Sequence, residues 1–541
     1  MIVFFVLRTL TSGLPGWAVP LGDWLGGTSY RLSHISAADA ALVGVYSLIT
    51  AVLCVYGLHR YRLMYLYYKH RGQATGDPQS CFGEMPPVTI QLPVYNERFV
   101  VEDLLEAACR VDYPPGRLQI QVLDDSTDQT RRIARETVEQ LRSLGHPIEY
   151  HHRENRDGFK AGALRDGLQH ASGEFIAVFD ADFSPPPDFL LRTIHYFTDA
   201  GVGAVQARWT HRNRDHSLLT QVQAILLDGH FVFEHGGRAR AGCFFNFNGT
   251  AGMLRRTMIE DAGGWQGDTL TEDSDLSYRG QLKGWRYVYT PQIEVPSELP
   301  SDMISFQIQQ ARWAKGLIQT ARKLLPQILR APLPAKVKIE AWFHLTGNLT
   351  FPLMAALFAL LIPSMTVRAL WGNGELLAID LFLFLGTFSS LSSFYLMAQK
   401  ELFPQDWQRK IVFLPLVVAT GIGLMINNCV AVLEALLGVP SSFQRTAKYS
   451  ADRQRASIAR RFYGRRSRWL PAANLAAGTY FAWCVFYALR LENWWALPFV
   501  CVFSLGYYFA AFTMLQQGRW TERSLRSPGL GERSARSVPS S

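Results

Sequence analysis

Three acidic clusters and one Gln/Arg/Trp run carry the residue types from which a reaction could be built. Asp180-Ala181-Asp182 sets two carboxylates two residues apart, directly after the apolar run 175–179 and before Pro185-Pro186-Pro187. Carboxylates spaced this way just past a strand can share a hard divalent cation through oxygen ligands. Mg²⁺ or Mn²⁺ held there would bridge a diphosphate and neutralise charge as it departs. The tripeptide is common by chance; the strand before it and the prolines after it set this copy apart. Asp124-Asp125-Ser126 closes a second β-rich run, 118–123. Its acids can accept hydrogen bonds from a nucleoside base or ribose, while Ser126 or Asp128 can equally cap a following helix.

Thr271-Glu272-Asp273, followed by Asp275, supports two readings that are compatible. One is a helix N-terminus, with Thr271 as cap and the acids favoured by the helix dipole. The other makes Asp273 a general base that takes a proton from an attacking hydroxyl. In Gln309-Gln310-Ala311-Arg312-Trp313, within the helical stretch 306–325, Gln309, Arg312 and Trp313 fall near one face. A forked guanidinium suits a diphosphate and a flat indole can stack on a sugar ring. An ordinary interfacial helix would carry the same residue types. Lys160 reads as a donor-binding or a surface lysine. The run 443–448 reads as a loop closing over a nucleotide or as a basic loop against lipid headgroups. No P-loop, G-x-G-x-x-G, nucleophile-elbow or metalloprotease pattern occurs.

The elements that must position these groups follow from periodicity. Residues 88–92, 118–123 and 175–179 read as strands, and 100–111, 129–144 and 160–170 as helices. Strands alternating with helices predict a mostly parallel sheet, with ligands beyond the carboxyl ends of its strands, where the aspartates fall.

Hydrophobic residues are 48% of the 541 and charged residues 18%, below the roughly 25% charged of a soluble chain, so disorder as the main state is excluded. The apolar residues cluster. Residues 38–57 carry no charge and are long enough for ~30 Å of hydrocarbon. Further apolar stretches are 341–363, 376–397, 411–437, 472–489 and 494–514. Arg60, Arg62, Lys69 and Arg71 follow the first span and put what comes after it in the cytoplasm. The arginine-rich loop within 441–470 belongs on the same side, which two full crossings satisfy and three do not. The stretch 411–437, with Pro415, Gly421, Gly423, Asn427, Asn428 and Glu434, is therefore expected to be bent, re-entrant or interfacial.

This gives an N-terminal segment 1–72, a linker 73–87, a catalytic domain 88–300 and interfacial helices 301–335. Membrane and re-entrant helices 336–440, a basic loop 441–470, two spans within 471–515 and a disordered tail 516–541 complete the expected order. The net charge of +9 sits largely beside the spans, so no nucleic-acid partner is expected. The seven cysteines form no C-x-x-C pair, against a disulfide framework or zinc site. Met1–Val6 lacks a basic n-region and a cleavage site, so no removable signal peptide is expected.

Taken in order, the clusters resemble membrane-embedded family 2 glycosyltransferases: cellulose, chitin and hyaluronan synthases, and especially the cellulose synthase-like glucomannan and xyloglucan-backbone synthases. Further matching stretches are Pro93-Val94-Tyr95-Asn96-Glu97, Val205-Gln206-Ala207-Arg208-Trp209, Phe247-Asn248-Gly249-Thr250-Ala251-Gly252, Ala262-Gly263-Gly264-Trp265 and Leu282-Lys283-Gly284-Trp285. The resemblance implies an α/β glycosyltransferase-A fold and an inverting displacement from a UDP- or GDP-hexose. It implies that Asp125, with Asp124 beside it, holds the nucleoside and Lys160 the donor. Asp180 and Asp182 would contact the sugar-diphosphate and its divalent cation, and Asp273 would be the base. Gln309 and Arg312 would engage the diphosphate. Trp313, Phe247, Asn248, Gly249, Thr250 and Glu272 would meet the acceptor. Thr446 and Lys448 fall on the gating loop, where Arg445 replaces the valine usual in cellulose synthases. No cyclic-dinucleotide regulatory module is expected.

The preferred reading is a processive synthase in the membrane, its catalytic domain on the cytoplasmic face, that extends a β-linked polysaccharide and passes it through its own spans. Trp342, Phe343 and Tyr395 are candidate stacking surfaces. A lipid acceptor taking one sugar, as in ceramide glucosyltransferases, is the alternative. A non-catalytic sugar-binding transporter or receptor is a third.

Overall fold

The computed structural model describes residues 36–73, 78–371, 384–440, 465–490, 494 and 496–526. Against the expected disordered tail from 516, the last helix runs on to Arg526; Thr446, Lys448, the rest of that tail and part of the stretch 376–397 lie outside the described residues.

Runs rich in β-branched and aromatic residues pair into one seven-stranded sheet. Its strands are β1 (Val88–Val94), β2 (Leu118–Asp124), β3 (Ile148–His152), β4 (Phe175–Val178), β5 (Val202–His211), β6 (Gly252–Arg255) and β7 (Arg286–Ser297). The order is β3-β2-β1-β4-β6-β5-β7. β6 runs antiparallel to β4 and β5; every other pairing is parallel. Helices Val101–Cys109, Thr130–Ser143 and Phe159–Gln169 connect the first four strands. Ile90, Leu92, Ile120, Val122, Phe175 and Ala177 are wholly buried and form the centre of the core.

Parallel register sends the acids to one edge. Val94 lies opposite Asp124, and Gln91 opposite Val178, so the chain beyond β1, β2 and β4 leaves the sheet on the same side. Beyond the sheet come the helix Glu272–Leu282 and the long helix Met303–Arg330.

Four helices are long and apolar enough to cross a membrane: Ala37–Lys69, Ala335–Arg368, Trp469–Arg490 and Leu497–Gln516. The first does not stop at residue 57. It continues through His59, Arg60 and Arg62, because no breaker interrupts it and its inward-facing charges find partners. Glu340, wholly buried, accepts from Arg62 Nε at 2.6 Å and pairs with His59 Nε2 at 2.9 Å and Arg238 Nε at 3.7 Å. Phe343 stacks on His59 with ring centroids 4.1 Å apart, and Tyr395 packs edge-on to Phe394. Trp342 is 43% exposed.

The stretch 411–437 forms Trp407–Gly423 and Met425–Leu436, bent by 42°. The bend follows Gly423, where a methyl group would come within 2.6 Å of Ala510 Cβ. The seven cysteines are free thiols.

Candidate active site

One open cleft of about 1200 Å³, counted to its mouth, receives side chains from the ends of β1, β2, β5 and β7 and from the helices Phe159–Gln169, Glu272–Leu282 and Met303–Arg330. Asp125, Lys160, Asp180, Asp182, Asn248, Glu272, Asp273, Gln309, Arg312 and Trp313 all line it. Stretches more than a hundred residues apart in sequence thus meet at the carboxyl edge of the sheet.

At the β2 end Asp125 is locked in place. Its backbone N–H donates to Val94 O at 2.9 Å, and Arg153 grips its carboxylate in a fork, Nε to Oδ1 at 2.8 Å and Nη2 to Oδ2 at 2.6 Å. The Arg156 guanidinium lies 3.3 Å from the centroid of Tyr95, making a flat cationic-aromatic wall beside that acid. Neither arginine was picked out as a site residue, since each is about thirty residues from its partner; their closeness after a strand end is the only signal. Asp124 is placed differently from Asp125. It is wholly buried, accepting from Ser126 N at 2.8 Å and from the Tyr150 hydroxyl at 2.6 Å, so it fixes the turn and does not line the cleft.

At the β4 end the loop 247–251 clasps the Asp180 motif. Asp180 N donates to Thr250 Oγ1 at 2.9 Å, and Lys160 Nζ donates to Asp180 Oδ1 at 2.5 Å and to Gly249 O at 2.8 Å. Glu272 Oε1 stands 3.9 Å from the same ammonium. Burial alone would lower the lysine's pKa, but Asp180, Glu272 and Asp273 outweigh it and hold the ammonium above its ordinary value. Gly249 has φ +78, and a methyl group there would lie 2.9 Å from Asp273 Oδ2 and 3.3 Å from Lys160 Nζ, so glycine is needed twice over. Phe247 is wholly buried behind this loop, packed with Leu254 and Met258. The Asn248 amide faces the cleft; its Oδ1 accepts from Asn246, and its Nδ2 is buried without a hydrogen-bond partner.

Asp273 occupies the first turn of Glu272–Leu282 and accepts from Ser274 N at 2.7 Å. Burial, reinforced by the Glu272 carboxylate, pushes its pKa up to about 7 against the opposing pull of Lys160, the Ser274 N–H and Arg312. Thr271, expected as a side-chain cap, makes no capping bond. Its side chain turns instead onto the helix Met303–Arg330, where its hydroxyl meets that of Thr320 at 3.3 Å and its Cγ2 closes over Gly316. That contact brings the Asp273 helix against the helix of Gln309, Arg312 and Trp313.

The chemistry of Asp180 and Asp182 fits a hard divalent cation: both offer oxygen, and Asp180 already holds a positive charge. Among the described residues no group of three His, Cys, Asp or Glu side chains is placed to hold a metal alone. A cation bound there would draw further oxygens from a ligand.

Residues 86–316 match the profile of Glycosyltransferase like family 2. That match takes in the cleft residues from Tyr95 to Trp313. Its mostly parallel seven-stranded sheet, with the antiparallel β6 inserted, is of the glycosyltransferase-A type. Among curated relatives, Glucomannan 4-beta-mannosyltransferase 1 of Oryza sativa subsp. japonica is 43% identical over 277 residues, 50% of this chain and 53% of that one. Glucomannan 4-beta-mannosyltransferase 2 of Arabidopsis thaliana is 44% identical over 250 residues, 45% and 47% of the two chains. The chain spans about half the length of the curated relatives it matches. Among solved structures, the mannosyltransferase PcManGT from Pyrobaculum calidifontis, in complex with GDP-Man and Mn2+, is 25% identical, with TM-score 0.47, 66% of this chain and 99% of that one being covered.

Proposed function

We propose that the protein transfers a hexose, with inversion, from a nucleotide-diphosphate sugar to a growing β-linked polysaccharide. The names of the rice and Arabidopsis relatives make mannose the first hexose to test. The observation that carries this reading is the convergence of Asp125, Asp180, Asp182, Asp273, Gln309, Arg312 and Trp313 on one cleft.

In this reading the nucleoside lies against Tyr95 and Arg156 with Asp125 as its hydrogen-bond acceptor, and Asp124 acts by holding the turn. Gln309 and Arg312 meet the diphosphate. Trp313, Glu272 and Asn248 flank the acceptor sugar, and Phe247, Gly249 and Thr250 shape the wall behind it. Asp273 takes the proton of the acceptor hydroxyl as its oxygen bonds to the anomeric carbon. The bond from that carbon to the diphosphate breaks, and its electron pair leaves with the phosphate. A neutral-range carboxyl suits that task, because it is ionised at working pH yet basic enough to accept the proton. Arg312 is placed to offset charge building on the leaving group. A divalent cation on Asp180 and Asp182 would add Lewis-acid neutralisation of the same charge.

The cleft is read as cytoplasmic and the polymer as leaving through the helical bundle. The basic residues Arg60, Arg62, Lys69 and Arg71 support that orientation. Val439 follows the bent pair and is 43% exposed. Val439→Cys should react with an impermeant maleimide in inverted vesicles and not in sealed right-side-out ones; the reverse pattern defeats the orientation. The function itself is tested with purified protein, given GDP-mannose, UDP-glucose or UDP-N-acetylglucosamine separately with Mn²⁺ or Mg²⁺. The expected product is a β-linked polymer, with mannose the preferred hexose. A one-sugar lipid, or no transfer from any donor, would sink the reading.

A further inference from the structure

The Lys160 ammonium is in an unusual position for a group that is read as meeting the donor. Its shortest contact, 2.5 Å, is to Asp180, one of the two carboxylates read as holding the divalent cation. Its second, 2.8 Å, is to the carbonyl of Gly249, and Glu272 stands 3.9 Å away. Asp180, Asp182, Glu272 and Asp273 are among the acids that line this one cleft, and the ammonium lies against Asp180 and Glu272.

We propose that in the donor-free protein the Lys160 ammonium occupies the place on Asp180 that the divalent cation takes with the donor. The cation then enters together with a diphosphate and not before it. The inference rests on reading the cleft as a nucleotide-sugar site. A dication arriving alone must strip a charge-assisted hydrogen bond from a part-buried lysine and leave that ammonium facing a second positive charge, which is unfavourable twice. A dication arriving with a diphosphate meets neither cost. The phosphate oxygens accept the displaced ammonium, and they supply the ligands that the described residues do not provide as a set of three. Lys160 is thus a positioning residue: it keeps the acids of the empty cleft compensated and hands Asp180 over when the donor arrives.

The test follows Mn²⁺ binding to the full-length purified protein by the loss of the free-ion paramagnetic resonance signal, with Mn²⁺ alone, with GDP and with UDP. Wild type should bind Mn²⁺ weakly alone and roughly tenfold or more tightly with the preferred nucleotide, the scale of one charge-assisted hydrogen bond. Lys160→Met should bind Mn²⁺ alone about as much more tightly than wild type does, with the dependence on nucleotide shrinking accordingly. Lys160→Gln, which keeps the length and a hydrogen bond but not the charge, should do the same. Equal Mn²⁺ affinity with and without nucleotide in wild type would overturn the proposal even if both variants failed to fold. Folded variants that bind Mn²⁺ alone no better than wild type would overturn it as well. If wild type binds no Mn²⁺ under any of the three conditions, the metal-dependent reading of the cleft fails, and this proposal fails with it.

Discussion

Asp273 owes its expected role to two surroundings acting on one carboxyl: a buried first helical turn that penalises its charge, and a neighbouring Glu272 that repels it. Replacing it with asparagine keeps the shape and removes the basicity. Asp273→Asn should lower kcat by ~10²–10⁴-fold while nucleotide binding persists, which turnover assays and isothermal titration together check. Because the group is raised to about 7, its basic form is lost as pH falls below neutrality. The pH profile of kcat/KM should therefore fall by about tenfold per unit on the acid side of pH 7, with no such limb in Asp273→Asn. The same shift has a stability consequence of opposite sense. The folded state holds this proton more tightly than the unfolded chain, so the contribution is present at low pH and fades as pH rises through 7. The acids of the cleft were legible in sequence because each follows a strand or opens a helix, where local pattern is strong. Arg153 and Arg156 were not, since what makes them part of the site is a partner across the sheet edge.

At the scale of elements, the junction of two helices decides whether Asp273 faces the Gln309 face. Gly316 makes that junction possible: a methyl group at this position would lie 2.6 Å from Thr271 Cγ2 and 2.8 Å from Thr271 N. The second of these is backbone and cannot swing aside. Gly316→Val should destabilise the protein by ~1–3 kcal/mol through overpacking, read as a lower midpoint in thermal unfolding in detergent. It should also depress kcat by shifting Asp273, with nucleotide affinity affected less. β1, β2 and β4 were readable because their runs are largely buried and bounded by turn residues, and the three connecting helices because one face of each carries the buried residues. β3 was not: IEYHH buries fully only Ile148, and an edge strand that is half polar carries little periodic signal. β6 contributes four residues and runs against its neighbours, a reversal that no local pattern encodes. Thr271 shows the same limit. Its type suits a cap, but the space opened by a glycine 45 positions on drew its side chain elsewhere.

At the scale of the whole molecule, a buried ionic knot joins the candidate membrane helices Ala37–Lys69 and Ala335–Arg368 to the helix Gly236–Arg240. Glu340 binds His59 and Arg62 from the first helix and Arg238 from the helix Gly236–Arg240, and the Tyr278 hydroxyl of the Asp273 helix meets His344 Nδ1 at 2.7 Å one turn away. Glu340→Ala would take from Arg238, which is 3% exposed, the nearer of its two carboxylates, leaving Glu234 at 4.0 Å. A loss of ~3–5 kcal/mol is expected, seen as a large drop in unfolding midpoint, whereas Arg62→Ala, at a more exposed position, should cost much less. The first helix adds one more consequence. Its 33 residues extend about 50 Å at 1.5 Å each, whereas hydrocarbon takes up only ~30 Å. With ~30 Å of it across hydrocarbon, about 20 Å of rod would project beyond the lipid tails, held near its root by the Glu340 pairs to His59 and Arg62. Such a rod would act as a ruler between the acyl chains and the cleft, and a one-turn deletion within it would draw the cleft about 5 Å toward the headgroups.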